Sequence, residues 1–205
     1  HFLSPAEQGY YYTFYSLVAL QIVFELGFSV VVLQTASHEA AHLTIADDGH
    51  IAGPVAAHAR LASILQKSVG WYTTAALCMA VILLPVGIRF FSRQAITHPS
   101  ADPVSWLFPW ILVVLATSLT FQIDPTFSFL EGCGYVPNVA RTRLAQAILG
   151  TLMGWGALVL HHGLFAPGLM ILGQAIAGGC FVWSKRRLLV PLMRYSTGEH
   201  RIPWA

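Results

Sequence analysis

The sequence predicts an all-α integral membrane protein of about five transmembrane helices, and its composition is the first observation behind that prediction. Hydrophobic residues make up 56% of the 205 residues and charged residues only 10%, a balance more apolar than that of soluble globular domains. The second observation is a series of five apolar stretches long enough to cross about 30 Å of hydrocarbon. The net charge of +2 is small and the basic residues are scattered, which excludes a nucleic-acid-binding surface.

The predicted spans form a single membrane domain over residues 1–205, because no charge-rich linker of domain size separates them. The first span begins after Ser4-Pro5-Ala6-Glu7, which supplies an N-cap, a first-turn proline and an acidic residue three positions on. Tyrosines at its start fit an interfacial aromatic belt. The spans are predicted over residues 10–35, 69–91, 105–130, 144–160 and 165–183.

The longest connection, residues 37–68, contains a segment with its own helical pattern. Apolar residues recur at helical spacing over residues 55–67, beside Arg60 and Lys67. This pattern indicates a helix lying along the cytoplasmic surface of the membrane. An ordinary solvated connector helix is the alternative.

The fourth and fifth spans are joined only by His161-His162-Gly163. So short a connection requires the two helices to form an antiparallel hairpin. Gly150-x-x-x-Gly154 in one span and Ala175-x-x-x-Gly179 in the other would let the two backbones approach closely.

The basic residues indicate how the helices are oriented in the membrane. When loops are assigned alternately to two sides, Arg89 and Arg93 fall on one side and the other nine of the 11 Lys and Arg residues on the opposite side. Because positively charged loops stay in the cytoplasm, the first span is predicted to start outside and Lys185-Arg186-Arg187 to lie inside.

A polar stripe interrupts the first apolar span. Gln21, Glu25 and Ser29 are one helical turn apart and share a face. A carboxylate at that depth costs at least about 2.5 kcal/mol on insertion scales, so Glu25 is predicted to face the bundle interior or a wet cavity. The alternative is that Glu25 is protonated, or hydrogen-bonded to a neighbouring helix, and only holds the bundle together.

A second polar stripe runs along the third span. Asp124 is its stronger candidate for a functional carboxylate, because Glu131 lies near the cytoplasmic end, where solvation is easy. Pro125 frees a carbonyl one turn back and predicts a kink that helps to line a cavity. The stripe consists of Thr117, Phe121, Asp124, Ser128 and Glu131.

A third motif, His38-Glu39-Ala40-Ala41-His42, satisfies the zinc-protease pattern H-E-x-x-H. In that pattern the two imidazoles bind Zn²⁺ and the glutamate is the base that activates a water. A catalytic zinc needs a third protein ligand, and the candidates on the same side are His50, His58 and Glu131. The alternative is a chance match at the end of an interfacial helix, since the chain contains nine histidines.

The amino-terminal stretch also carries a family resemblance. It begins with SPAEQG and later contains the tripeptide ELG at residues 25–27. With the apolar helix between them, these motifs resemble the second membrane helix of bacterial polysaccharide flippases, the exporters of O-antigen and other lipid-linked oligosaccharides in the MATE-like superfamily. Residues 60–76 resemble the connector and third helix of that family, and residues 127–136 the turn after its fourth helix.

The resemblance implies that the chain forms helices two to six of one lobe of a longer transporter, in the bacterial inner membrane. Its substrate would be a polyprenyl-pyrophosphate-linked oligosaccharide, a lipopolysaccharide or other polysaccharide precursor, which crosses by alternating access without bond cleavage. The implied partners are membrane lipid, this substrate and the remaining helices of the full-length transporter. Neither a catalytic residue nor a resident cofactor is implied.

Related transporters commonly couple such movement to a proton or sodium gradient, and Glu25 or Asp124 would titrate or ligate that ion. Arg141 and Arg143 lie at the cytoplasmic mouth and would meet the pyrophosphate first, since no basic residue lies deep in the predicted spans. A non-catalytic membrane scaffold is a further alternative, and it would not require the paired polar stripes.

Overall fold

The structure, a computed structural model, describes residues 4–45, 51–97 and 104–195. Apart from one very short β pair, this part of the chain is helical, which confirms the predicted all-α class. The helices are α1 Pro5–Val18, α2 Gln21–Glu25, α3 Phe28–Ala40, α4 Val55–Thr97, α5 Leu107–Gly132, α6 Val136–Val159, α7 Ala166–Ser184 and α8 Arg186–Arg194, with a 3₁₀ turn at Gly163–Phe165.

Three helical stretches in the described part of the chain are long and apolar enough to span a membrane: Val55–Gln94, Leu107–Gly132 and Gly163–Ser184. A fourth would be the pair Glu7–Glu25 and Phe28–Ala40, which meet at a bend of 42°. The sequence predicted five spans, and the additional one is α6. Its first half carries Arg141, Arg143 and Gln146, which lower the hydropathy of the helix.

The first helix starts as its sequence predicts. Ser4 Oγ accepts a hydrogen bond from the Glu7 backbone N–H at 3.2 Å, and Glu7 Oε2 accepts one from the Ser4 backbone N–H at 2.7 Å. The two bonds satisfy donors that the first helical turn leaves without an intrahelical partner. The capping prediction at Ser4–Glu7 is therefore confirmed.

The first predicted span, residues 10–35, is not one continuous helix in the structure, because the chain breaks between α2 and α3. Leu26 has φ +48° and Gly27 has φ +72°, so both adopt the left-handed conformation. Glycine does so at little steric cost, whereas the side chain of a leucine makes this conformation unfavourable by about 1–2 kcal/mol. The break places the end of α2 and the start of α3 in the middle of the first apolar stretch. Backbone groups at such helix ends lack intrahelical partners.

Helix α4 joins two elements that the sequence predicted as separate, the surface helix over 55–67 and the span over 69–91. It is continuous for 43 residues and is therefore about 65 Å long at 1.5 Å per residue, more than twice the hydrocarbon thickness of a bilayer. Before it, Thr44 pairs with Ala52 and Ile45 with Ile51 in an antiparallel ladder.

The core consists of two hydrophobic clusters at different levels of the bundle. In one, the rings of Phe14, Phe91 and Trp110 pack with centroids 5.1–5.4 Å apart and link α1, α4 and α5. In the other, fully buried aliphatic side chains link α3, α4, α5 and α8. Phe28, directly after the helix break, packs against both clusters.

Helices α6 and α7 form the predicted antiparallel hairpin, and small residues bring their backbones together. A Cβ added to Gly150 would lie 2.7 Å from the carbonyl oxygen of Met170, and one added to Gly173 would lie 3.0 Å from Gly150 Cα. Gly154 also faces α7, but Gly179 has open space around it. The α7 residue at the closest approach is therefore Gly173 and not Gly179.

Candidate functional site

The strongest candidate site begins at the break between α2 and α3. Ser29 Oγ donates a hydrogen bond of 2.7 Å to Glu25 Oε1, so the two side chains meet across the interruption. This contact confirms that Glu25 and Ser29 share a face, as their spacing predicts. Gln21 lies one turn earlier, is partly exposed and makes no hydrogen bond to the described residues.

Asp124 on α5 faces the same region as Glu25. Its carboxylate is partly buried and interacts electrostatically with both Glu25 and Arg143. The sequence placed the two acidic residues on separate polar stripes, and packing of α3 against α5 brings these stripes towards each other. Two carboxylates from different helices thus lie near one helix break.

Tyr72 of α4 completes this group, which we call the carboxylate cluster: Glu25, Ser29, Tyr72 and Asp124. The Tyr72 side chain is fully buried, and its hydroxyl interacts electrostatically with Glu25 and Asp124. The hydroxyl lies beside Ser29 without a well-formed hydrogen bond to the described residues. A buried hydroxyl in this situation is available to a further ligand, because unpaired polar groups are costly in an apolar interior.

Tyr72 could not be predicted as a site residue from the sequence. The sequence feature that could have indicated it is an aromatic hydroxyl in the apolar part of α4, followed by Thr73. In the structure, Thr73 Oγ1 accepts a 3.2 Å hydrogen bond from Gln122 on α5. Sequence periodicity cannot show which of these polar groups faces Glu25, because that depends on how α4 packs against the broken helix.

The second polar stripe divides into a buried and a solvated part. Thr117, Phe121 and Ser128 are buried, whereas Glu131 is partly exposed and pairs with Arg143 at 3.5 Å between Oε1 and Nε. The Arg143 guanidinium also lies 5.8 Å from the centroid of the Phe127 ring. Arg143 therefore connects the carboxylate cluster, through Asp124, with Glu131 at the end of α5. The helix passes through Pro125 without interruption.

Arg141 and Arg143 do not act as a pair in this structure. Residues two apart on a helix do not face each other, and only Arg143 reaches an acidic partner. Arg141 is exposed and forms no ion pair with the described residues.

The H-E-x-x-H motif has a different arrangement from a zinc site. The rings of His38 and His42 are exposed, with centroids 5.6 Å apart. Glu39 is buried, and its Oε2 is 2.8 Å from Arg60 Nε on α4. An arginine at this distance competes for the carboxylate that would have to accept a proton from a zinc-bound water.

The residues predicted as a third zinc ligand either contact other side chains or lie outside the described ranges. The His58 ring stacks on Tyr195 with a centroid distance of 4.5 Å, and Glu131 pairs with Arg143. His50 falls outside the described residues. Among those that the structure describes, no group of three His, Cys, Asp or Glu side chains is placed to hold a metal ion.

Cys133 directly follows α5 and packs against the aliphatic cluster formed by α3, α4, α5 and α8. Burial raises the pKa of its thiol to about 12, so the side chain is a neutral thiol at physiological pH. A nucleophilic cysteine needs the thiolate form, and Cys133 is therefore a packing residue here.

Comparisons with protein-family models, with curated proteins and with solved structures found no match.

Proposed function

We propose that this chain is part of a transporter lobe that moves a lipid-linked oligosaccharide across the bacterial inner membrane by alternating access. The observation that carries the proposal is the interrupted first span, where Glu25 lies at the break and interacts electrostatically with Asp124 and with the buried Tyr72. The resemblance of residues 4–39 to polysaccharide flippases supports the choice of substrate.

An interrupted membrane helix suits an ion-coupled transporter for an electrostatic reason. The last carbonyls of α2 lack intrahelical partners, and the carboxyl-terminal end of a helix carries partial negative charge. Glu25 is the last residue of α2, so its carboxylate adds to that charge. Discontinuous helices in transporters bind ions at such ends.

The coupling ion is proposed to be a proton or a sodium ion held between Glu25 and Asp124. Two neighbouring carboxylates repel one another when both are ionised, and a bound proton or cation removes that repulsion. The Ser29 and Tyr72 hydroxyls would supply further oxygen atoms. A proton or sodium ion bound in the carboxylate cluster would then shift the balance between two arrangements of α1–α3 relative to α4 and α5.

The pyrophosphate of the substrate is proposed to meet Arg141 and Arg143 at the start of α6. Arginine suits this role because its planar guanidinium donates paired hydrogen bonds to phosphate oxygens. Arg141 is available without rearrangement, whereas Arg143 would exchange Glu131 for the substrate. The other helices of the transporter would supply the rest of the cavity.

The proposal is tested by deleting the gene that encodes this chain and measuring surface polysaccharide and intracellular lipid-linked oligosaccharide. We expect surface polymer to be lost and its lipid-linked precursor to accumulate, since synthesis continues without translocation. Wild type and His38→Ala/His42→Ala should restore the polymer equally, because neither imidazole belongs to the carboxylate cluster. Normal polymer in the deletion strain would contradict the proposal. Restoration by wild type but not by the double variant would favour the alternative in which His38 and His42 bind zinc.

A further inference from the structure

The carboxyl-terminal part of the described chain has a one-sided charge distribution. Between Glu131 and Glu199 the sequence contains six Lys and Arg residues and no Asp or Glu. These basic residues are confined to two short segments, the start of α6 and the end of α7 with α8. They are Arg141, Arg143, Lys185, Arg186, Arg187 and Arg194.

The fold brings the two basic segments to the same end of the bundle. Lys185 Nζ lies 4.0 Å from the centroid of the Tyr135 ring, and Tyr135 directly precedes α6. Arg141 and Arg143 follow in the next turns of α6. Positive charge from α6 and α8 is thus concentrated at one end of the bundle, where the ion pair that these basic residues form within the described part of the chain is that of Arg143 with Glu131.

Helix α8 is amphipathic and is held firmly against α4. Leu188, Leu189 and Leu192 are buried in the aliphatic cluster. The Gln66 side-chain amide donates hydrogen bonds of 2.9 Å to the carbonyl oxygens of Leu192 and Tyr195, which caps the end of the helix. The outward face of α8 is therefore presented in a fixed orientation.

That outward face combines arginines with exposed apolar side chains. Val190 and Met193 are 44% and 41% exposed, and Trp183, just before the helix, is 69% exposed. Arg187 and Arg194 are exposed and form no ion pair with the described residues. A short amphipathic helix directly after an apolar span, with arginines beside apolar residues and a tryptophan at its start, fits the headgroup region of a bilayer.

We propose that α8 binds the headgroups of anionic phospholipids, through Arg187 and Arg194. The arginines pair with lipid phosphates, and Val190, Met193 and Trp183 enter the boundary between headgroups and acyl chains. Charge complementarity selects anionic over zwitterionic lipid, because this surface has unpaired positive charge. The inference concerns a surface distinct from the carboxylate cluster, so it stands or fails independently of the proposed transport function.

The test is a titration of the purified full-length protein, in detergent micelles, with phosphatidylglycerol or with phosphatidylcholine of the same acyl chains. We expect tighter binding of phosphatidylglycerol, which weakens as salt is raised because the contact is electrostatic. Arg187→Gln/Arg194→Gln should weaken this binding by roughly 25-fold, about fivefold per arginine. Arg187→Lys/Arg194→Lys should retain most of it.

Two controls make the result specific. Arg89→Gln removes an exposed arginine from the other end of α4 and should leave phosphatidylglycerol binding unchanged. Inorganic phosphate should not displace the lipid, because the apolar contacts are missing from a free anion. Equal affinity for the two lipids, unchanged binding by the double Gln variant, or full displacement by phosphate would each overturn the proposal.

Discussion

Replacing Asp124 with Asn is expected to lower export of lipid-linked oligosaccharide at least about a hundredfold, equivalent to about 2.7 kcal/mol. Asn has nearly the same shape as Asp but carries no charge, so it cannot hold a proton or cation together with Glu25. The protein should still fold, since Arg143 keeps Glu131 as a partner after the change. Surface polysaccharide, measured beside the amount of protein in the membrane fraction, checks this expectation.

Matched variants distinguish coupling from a general loss of structure. Glu25→Gln should cause a similar loss of export, and the double variant should be little worse than either single one, because both act on one site. Gln122→Ala changes an exposed polar residue two positions from Asp124, outside the carboxylate cluster, and should export normally. If Asp124→Asn and Glu25→Gln both exported at the wild-type rate, the scaffold hypothesis would replace the transporter.

Replacing Gly150 with Leu is expected to destabilise the protein by about 3 kcal/mol, the upper part of the range for overpacked cores. The new side chain would begin 2.7 Å from the Met170 carbonyl oxygen, with Gly173 on the same side. Backbone atoms cannot rotate away as a flexible side chain does, so α6 and α7 would have to separate. Thermal unfolding in detergent should show a midpoint lower by roughly 6–12 °C.

Gly156→Leu is the matched control for this change, because it introduces the same side chain on the same helix. A Cβ at Gly156 meets nothing within 4 Å, and the residue lines an apolar cavity of about 380 Å³. We therefore expect Gly156→Leu to be as stable as wild type or more stable. Equal unfolding midpoints for the two variants would show that α6 and α7 do not pack as the structure has them.

The features that could be predicted from the sequence are those set by residues close together in the chain. The capping box at Ser4–Glu7 and the hairpin at residues 161–163 depend on local hydrogen bonds and on the length of a connection. The contact between Glu25 and Ser29 follows in the same way from a four-residue spacing.

The features that could not be predicted depend on packing between distant segments. Glycine is common inside membrane helices, so Gly27 did not mark a break in an otherwise apolar stretch. Tyr72 joins Glu25 and Asp124 only because three separate helices meet there. Gly173 likewise allows a close helix contact only because α7 packs against α6 at Gly150.

The separation of 55–67 from 69–91 was an error of a different kind. Neither proline nor a helix-ending glycine occurs between Lys67 and Val69, so nothing in the local sequence required the helix to stop. Fully buried side chains such as Leu61 and Leu65 attach this half of α4 to α3, α5 and α8. Packing against the bundle, together with helical propensity, keeps α4 continuous.

The most direct test is translocation in liposomes that contain the purified full-length protein and a fluorescent polyprenyl-pyrophosphate-linked oligosaccharide. A membrane-impermeant quencher reports how much label has reached the outer leaflet. The account predicts that, under a proton or sodium gradient, wild type lets the quencher reach label from both leaflets, whereas Asp124→Asn leaves the inner-leaflet label protected. Protection of the inner-leaflet label with wild type under both a proton gradient and a sodium gradient would contradict the account.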